Sequence, residues 1–556
     1  MTELNSVDEI SARLEHAVTT VSRAVARESA AHSADAFGVM GNGNALFVDA
    51  LEYEGVRYHP LRHEAGAVAA ADAYSRTTGS VGVATTTFGA GFTNVMTALA
   101  DAVRARSAVV VITGDAPTAG RRSADVDLPA LVRAVGATSW TITPGREVDT
   151  VRRAFRSAQR DGRPAVVSIP YDLVAADARD VGEDLSIPEA SSSTVIPRDI
   201  VDLVVGAERL LVLAGRGAVL SGAQRLGTRF VTQRSAASAT TAMAHGLFHG
   251  LPSHLGIAGG FGSDHANSAM GMADVVLVLG AGLNGHTTRN GSLFDPEARV
   301  IQVDIGAAPT AASVTHHLQM DISDFLRSML AMPQLPPPPA WTHAPSTTTL
   351  RPSAGGLHPQ VISAQIASHL PEDVTVVLDG GNFMAWPLEA WPVKSSDAFV
   401  PAGLAYQSIG LGLPSMIGAA VGRPDRLPVL AVGDGGMLMA LADLESAARL
   451  VHSGLIVVYN DAVYGAELHQ YASSGVSTRG MRFPVTDFAA MAQSVGMRAS
   501  TIRSPADLVD LQRWIQSGAP GVMLLDCRIA DDVRAPFFDV AGSAVHASAG
   551  RAAATA

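Results

Sequence analysis

The sequence predicts an α/β protein of three doubly wound domains with mainly parallel sheets, and three observations lead there. Short apolar runs, among them 81–84, 429–432 and 455–459, alternate with stretches whose apolar residues recur at helical spacing. A run apolar on every residue suits a strand buried on both faces, as strands of a parallel sheet are. Two polar stretches, 175–198 and the proline-rich 332–356, divide the 556 residues into three blocks of domain size. The chain is also 47% hydrophobic but only 5% aromatic, which suits close helix-on-sheet packing. The expected division is 1–180, 197–333 and 356–540, followed by a tail, 541–556, with no core-forming pattern and expected to be disordered.

Composition narrows the partners. A net charge of −12, with 40 basic residues scattered along the chain, disfavours nucleic acid or an anionic membrane. The single Cys527 rules out an internal disulfide and any cysteine-based zinc site, and fits a reducing cytoplasm. The first residues, MTELNSVDEISARLE, lack an apolar leader, and no run of 18 apolar residues occurs, so a soluble, cytoplasmic protein is expected.

In the first block, AFGVMGNGNALFVDAL (36–51) reads as strand end, glycine turn and helix. Arg62-His63-Glu64-Ala65-Gly66-Ala67 then opens an alanine-rich helix. A carboxylate there is either a solvated acid on the helix dipole or a functional group in small, apolar surroundings. Gly89-Ala90-Gly91-Phe92-Thr93-Asn94 follows the next strand and opens another helix. In the central block, ADVVLVLGAGLNG (273–285) runs a strand into Gly280-x-Gly282-x-x-Gly285, and Asp304 ends the strand after it. That spacing matches a dinucleotide fingerprint, but the residues that follow lack helical periodicity, so the helix that would face a pyrophosphate is missing. His245, His249 and His254 lack an organised ligand set.

The third block carries the densest chemistry. VTVVLDGGNFMAW (374–386) is a strand ending in Gly380-Gly381-Asn382, and AYQSIGLGLPSMIGAAVGRP (405–424) is a turn and a glycine-rich helix. PVLAVGDGGMLMALADLESAARLVHSGLIVVYNDAVYG (428–465) reads as strand, glycine turn, helix and strand, then a polar loop. Glycines at 433, 435 and 436 let backbone amides approach an anion at a helix start, while Asp434 and Asp461 leave adjacent strand ends and suit an oxygen-coordinated cation.

This last segment resembles the cofactor signature of thiamine-diphosphate-dependent enzymes, which begins Gly-Asp-Gly and ends about 25 to 30 residues later in Asn-Asn. The resemblance extends over nearly the whole chain and implies the order pyrimidine-binding, central and diphosphate-binding domain. It implies thiamine diphosphate and Mg²⁺ as cofactors, with Asp434, Asp461 and the carbonyl of Val463 on the metal. Asp461 stands where the family usually has Asn, an acceptable exchange for Mg²⁺. It places Gly381, Asn382, Gly433, Gly435, Gly436, Tyr464 and Gly465 around the diphosphate, the Gln407 carbonyl on the 4′-amino group, and Ile409 beneath the bent cofactor. Glu64 matches the family glutamate that shares a proton with N1′ of the aminopyrimidine. Glu467 and His469 are the candidate acids or bases on the substrate side. Asn42, Thr87, Phe88, Arg121 and Arg122 are candidates for the substrate pocket, the arginines suiting an anion.

The resemblance implies decarboxylation of a 2-oxo acid, joining of the resulting acyl carbanion equivalent to a second carbonyl, or both. An acetolactate-synthase-like carboligase is the alternative, followed by an acyl-CoA lyase, a flavin-assisted oxidase and a catalytically silent relative. The pocket departs from several templates: the paired His of pyruvate decarboxylases is missing, and Ala65 stands where acetolactate synthases have Gln. FAD in the central block is not favoured. Family active sites form between subunits, which implies a homodimer or homotetramer.

Overall fold

The computed structural model describes residues 19–179, 195–332 and 350–539. The expected tail and most of both linkers lie outside them. The described strands form three six-stranded sheets, and every paired strand is parallel.

The first sheet contains β1 (Asp35–Gly38), β2 (Arg57–Pro60), β3 (Gly82–Thr86), β4 (Val109–Asp115), β5 (Thr138–Thr141) and β6 (Ala165–Pro170), in the order β2-β1-β3-β4-β6-β5. Its middle strands are buried on every residue from Gly82 to Thr86 and from Val109 to Gly114, which explains why they do not alternate polar with apolar residues. Each fully buried valine or isoleucine there contributes about 1.5–3 kcal/mol over its exposed state.

The second sheet contains β7 (Leu210–Ala214), β8 (Ala237–Thr240), β9 (His254–Ile257), β10 (Val275–Leu279), β11 (Arg299–Asp304) and β12 (His316–Gln319), in the order β12-β11-β10-β7-β8-β9. This is the dinucleotide-fold strand order, with its switch point between β7 and β10. As the sequence predicts, no helix lies between β10 and β11. At the switch point two loops pack directly on each other: a Cβ on Gly217 would stand 2.7 Å from the Gly280 Cα, and one on Gly215 would stand 2.3 Å from the Ala281 Cα. The glycines here serve the approach of one loop to another.

The third sheet contains β13 (Val374–Leu378), β14 (Phe399–Pro401), β15 (Leu427–Gly433), β16 (Ser453–Asn460), β17 (Arg498–Ile502) and β18 (Gly521–Arg528), in the order β14-β13-β15-β16-β18-β17. Its core includes Trp386, Phe383 and Tyr459, with Phe383 stacked on Tyr459 at 5.1 Å and the Tyr459 hydroxyl 2.6 Å from the Ser363 hydroxyl.

The contacts divide the chain into two compact units. One holds the first sheet together with Ala405–Gly422 and Ala442–Leu450, and the other holds the second and third sheets. The spine of the first unit is the helix Glu64–Thr78, buried without interruption from Gly66 to Thr77. Its small residues are required on two sides. A Cβ on Gly82 of β3 would stand 1.9 Å from the Ala71 carbonyl oxygen, and one on Gly418, in the helix Gly412–Gly422, would stand 1.9 Å from that of Ala70. Buried in this packing, Arg76 pairs with Asp72 at 2.8 Å and Asp101 at 3.5 Å. Asp101 also accepts a 2.9 Å hydrogen bond from the Tyr406 amide, tying down the loop that carries Gln407 and Ile409.

Candidate active site

The two units each hold a group of predicted residues. In the second, the register pairs Gly433 of β15 with Tyr459 of β16, so Asp434 and Asp461 leave neighbouring strand ends as the sequence predicts. Asp434 is fixed at both oxygens. Oδ1 accepts from the Gly435 amide and Oδ2 from the Ala462 amide, each at 2.7 Å. Asp461 Oδ1 accepts from the Val463 amide at 3.2 Å. No described residue donates a hydrogen bond to Asp461 Oδ2 or to the carbonyl of Val463, a residue only 4% exposed. A buried carbonyl without a partner is costly unless a ligand completes it. Burial pushes Asp434 up to about 6, and burial together with the neighbouring Asp434 charge pushes Asp461 up to about 8. A bound cation reverses that penalty by favouring both charged forms. Two carboxylates and a carbonyl fit a hard, oxygen-seeking divalent ion. Among the described residues no group of three or more His, Cys, Asp or Glu could hold a metal.

The loop is braced from behind. The Asn460 amide donates to Asp526 Oδ1 at 2.8 Å and to the Thr486 carbonyl at 2.9 Å, while Asp526 Oδ2 accepts from the Phe488 amide. Ala462 adopts φ +58°, a left-handed conformation that non-glycine residues rarely take. Gly435 is needed because a Cβ would stand 2.6 Å from the Tyr464 ring, which itself packs edge-on against Phe483. Gly381, at φ +147° and ψ 177°, sits in a region open in practice to glycine alone. The side chain of Asn382 is committed to structure: it donates to the Val533 carbonyl and accepts from the Ala535 amide, both at 2.9 Å. Both bonds fix the orientation of the main chain that carries it.

Glu467 and His469 share the short helix Gly465–Tyr471 but are not brought together, since residues two apart on a helix do not face each other. Glu467 is exposed, whereas His469 is half-buried, and burial lowers its pKa and keeps it neutral.

In the first unit, Glu64 is the first residue of its helix, where the dipole favours a carboxylate. Its Oε2 accepts from the Asn94 amide group at 2.9 Å, and a Cβ on Gly91 would stand 3.1 Å from Oε1. The turn Gly89–Asn94 is thus shaped around the Glu64 carboxyl. Asp443 supports the same helix start, accepting from the Arg62 amide at 2.8 Å and leaving no room for a side chain at Gly66. Gln407 is exposed and held at φ +61°, and Ile409 is half-buried.

Several of the candidate pocket residues lie together. Gly43 donates its amide to the Thr87 hydroxyl at 2.9 Å, Tyr171 donates its hydroxyl to Asn42, and the Phe88 and Tyr171 rings meet edge-on. Arg121 turns away to an exposed pairing with Asp127. Arg122 lies instead over the Phe88 and Tyr171 rings, 4.4 and 4.7 Å from their centres, with its charge engaged by both oxygens of Asp125. Tyr171 was not foreseen, because it lies 83 residues beyond Phe88 with no motif around it.

Three family models cover most of the chain: the N-terminal TPP binding domain of thiamine pyrophosphate enzymes over residues 19–135, their central domain over 198–329, and their C-terminal TPP binding domain over 379–527. The chain belongs to the thiamine pyrophosphate enzymes. Among curated members it is similar to a probable acetolactate synthase large subunit of Methanocaldococcus jannaschii, 27% identical over 87% of this chain and 88% of the relative. It is also similar to the acetolactate synthase isozyme 1 large subunit of Escherichia coli, 27% identical over 88% and 90%. It shares its fold with the thiamine diphosphate-dependent 4-hydroxybenzoylformate decarboxylase of Rhodococcus jostii RHA1, with a TM-score of 0.78 at 21% identity, covering 92% of this chain and 99% of that one. As a thiamine pyrophosphate enzyme the chain takes thiamine diphosphate as its cofactor. No helix of the described residues is long and apolar enough to cross a membrane.

Proposed function

We propose that this thiamine pyrophosphate enzyme is a lyase that decarboxylates a 2-oxo acid with an apolar or aromatic side chain, using Mg²⁺. The observation that carries the reading is the donor set of Asp434, Asp461 and the unpaired Val463 carbonyl at the ends of β15 and β16. Those three groups hold the metal. The turn Gly433 to Gly436, with Gly381, Asn382, Tyr464 and Gly465, holds the diphosphate, and Gln407 and Ile409 hold the rings. When bound, thiamine diphosphate supplies the electron sink that lets a 2-oxo carboxylate leave as CO₂. Glu64, oriented by Asn94, holds a proton at N1′. Exposed Glu467 supplies a proton on the substrate side. The wall made by Asn42, Thr87, Phe88 and Tyr171 offers two aromatic rings, and Asp125 already neutralises Arg122, which favours an apolar side chain over a second anionic group.

The second reading, transfer of the acyl unit to another carbonyl as in an acetolactate synthase, is supported by curated relatives of that name aligned over most of the chain. Both readings suit a homodimer or homotetramer with active sites completed between subunits. The test is a substrate screen on the protein reconstituted with thiamine diphosphate and Mg²⁺, following CO₂ release from pyruvate, branched and aromatic 2-oxo acids, with and without an aldehyde acceptor. Glu64-dependent CO₂ release yielding aldehyde supports the decarboxylase. A hydroxyketone or acetohydroxy acid product supports the ligase, and silence with cofactor bound rejects both.

A further inference from the structure

The exchange of the family's usual asparagine for Asp461 changes the charge of the metal-binding set as well as its chemistry. With an amide at this position the set could offer a cation one negative charge; with Asp461 it offers two when both carboxylates are ionised, equal and opposite to a divalent cation. Its oxygens are also held in place by the protein alone. Asp434 is fixed by the Gly435 and Ala462 amides and Asp461 by the Val463 amide. The main chain turns through the left-handed Ala462, and the adjoining Tyr464 amide and Ala462 carbonyl are paired with Met481 and Phe483. What remains without a partner among the described residues is Asp461 Oδ2 and the Val463 carbonyl. A rigid, charge-matched oxygen set is what a hard cation needs to bind without help from a second ligand.

We propose that the Asp434, Asp461 and Val463 site takes up a divalent cation in the absence of thiamine diphosphate, so that the protein carries its metal before the cofactor arrives. The inference rests on the reading that these strand ends hold the metal. It adds that Asp461 makes the site self-sufficient, where an asparagine would rely on the diphosphate to complete the charge. The occupied site is then electrically neutral, and the diphosphate is drawn in by open coordination positions and backbone amides more than by net charge.

The test is a titration of the metal-free full chain with Mn²⁺ in the absence of thiamine diphosphate, reading free Mn²⁺ by electron paramagnetic resonance, for the native protein, Asp461→Asn and Asp434→Asn. Asp461→Asn is isosteric and keeps an acceptor for the Val463 amide, and circular dichroism checks that each variant is folded. The expected result is saturable uptake of one Mn²⁺ per chain, displaceable by Mg²⁺, weakened at least tenfold by Asp461→Asn and brought closer to native affinity when thiamine diphosphate is added. Equal Mn²⁺ affinity in the native protein and Asp461→Asn, or no uptake by the native protein until thiamine diphosphate is present, overturns the proposal. The 2-oxo acid screen separates the two readings. Activity without binary metal uptake rejects only this inference, and binary uptake in a protein silent on every substrate rejects only the proposed reaction.

Discussion

The first and third sheets have the same strand order, β2-β1-β3-β4-β6-β5 and β14-β13-β15-β16-β18-β17, yet equivalent strand ends carry different chemistry. After β15 the third sheet places Asp434, and after β16 Asp461, both raised in pKa by burial. After β3 the first sheet places Thr87, whose hydroxyl accepts from Gly43, and its last β4 residue, Asp115, spends its carboxyl on the neighbouring Ala116 amide. One topology therefore serves an edge with two buried or half-buried carboxylates in one place and a partly aromatic wall in the other. The fold supplies positions; the loop residues decide what those positions do.

The largest effect expected from breaking this difference is at Asp434. Asp434→Ala removes a carboxylate that also fixes the Ala462 turn, and should bring CO₂ release to background, with isothermal titration showing no thiamine diphosphate binding in Mg²⁺ buffer. Next comes Glu64→Gln, which keeps the shape but not the proton exchange. A fall in kcat of about 10²- to 10⁴-fold is expected, with cofactor affinity changed far less. In the spine of the first unit, Arg76→Met removes the cation that pairs with buried Asp72 and Asp101, and a loss of about 3–5 kcal/mol in denaturant unfolding is expected. Asn460→Ala removes the brace between the metal loop and Asp526, and should weaken Mn²⁺ binding by about 10- to 100-fold while leaving substrate preference unchanged.

The smallest effect concerns acid. Burial raises the pKa of Asp35 in β1, but hydrogen bonds from His59 and Arg57 of β2 outweigh it and lower the pKa to about 2. A lowered folded-state value means the pair stabilises the edge of the first sheet above the unfolded value. That contribution, on the order of 2 kcal/mol, is lost as pH falls from about 4 toward 2. The corresponding edge strand of the third sheet, β14, is buried on all three residues of Phe399–Pro401 and carries no such pair. Hydrogen exchange as a function of pH should show β2 loosening at a higher pH than β14. Simultaneous loosening would mean the Asp35 pairing adds nothing.

Periodicity reports what is local, and the sequence was legible where chemistry and local pattern coincide. The parallel strands, the Gly433-Asp434-Gly435 turn and the Asn460-Asp461 strand end are of this kind. The partners that make these groups precise come from far along the chain. Asp443 reaches the Arg62 amide across 381 residues, and Asp101 reaches Tyr406 across 305. Neither lies in a pattern that would mark it. Arg121 and Arg122 were indistinguishable in sequence because neighbouring loop positions have no periodicity to say which one turns inward. The resemblance places the Asn382 main chain near the diphosphate, and what holds that main chain is the side chain closing onto Val533 and Ala535, in a segment that no motif marks.

The bare helix from Gly66 to Thr77 also limits how the enzyme can change. It is buried throughout and rich in alanine, a residue among the commonest in any α/β protein. Yet where Ala70 meets Gly418 and Ala71 meets Gly82 there is no space for a single added methyl group. In a saturation library Gly82 and Gly418 should be depleted as strongly as the carboxylates. New substrate preferences would then arise by exchange around Thr87, Phe88 and Tyr171, while the silent spine beneath them stays as it is.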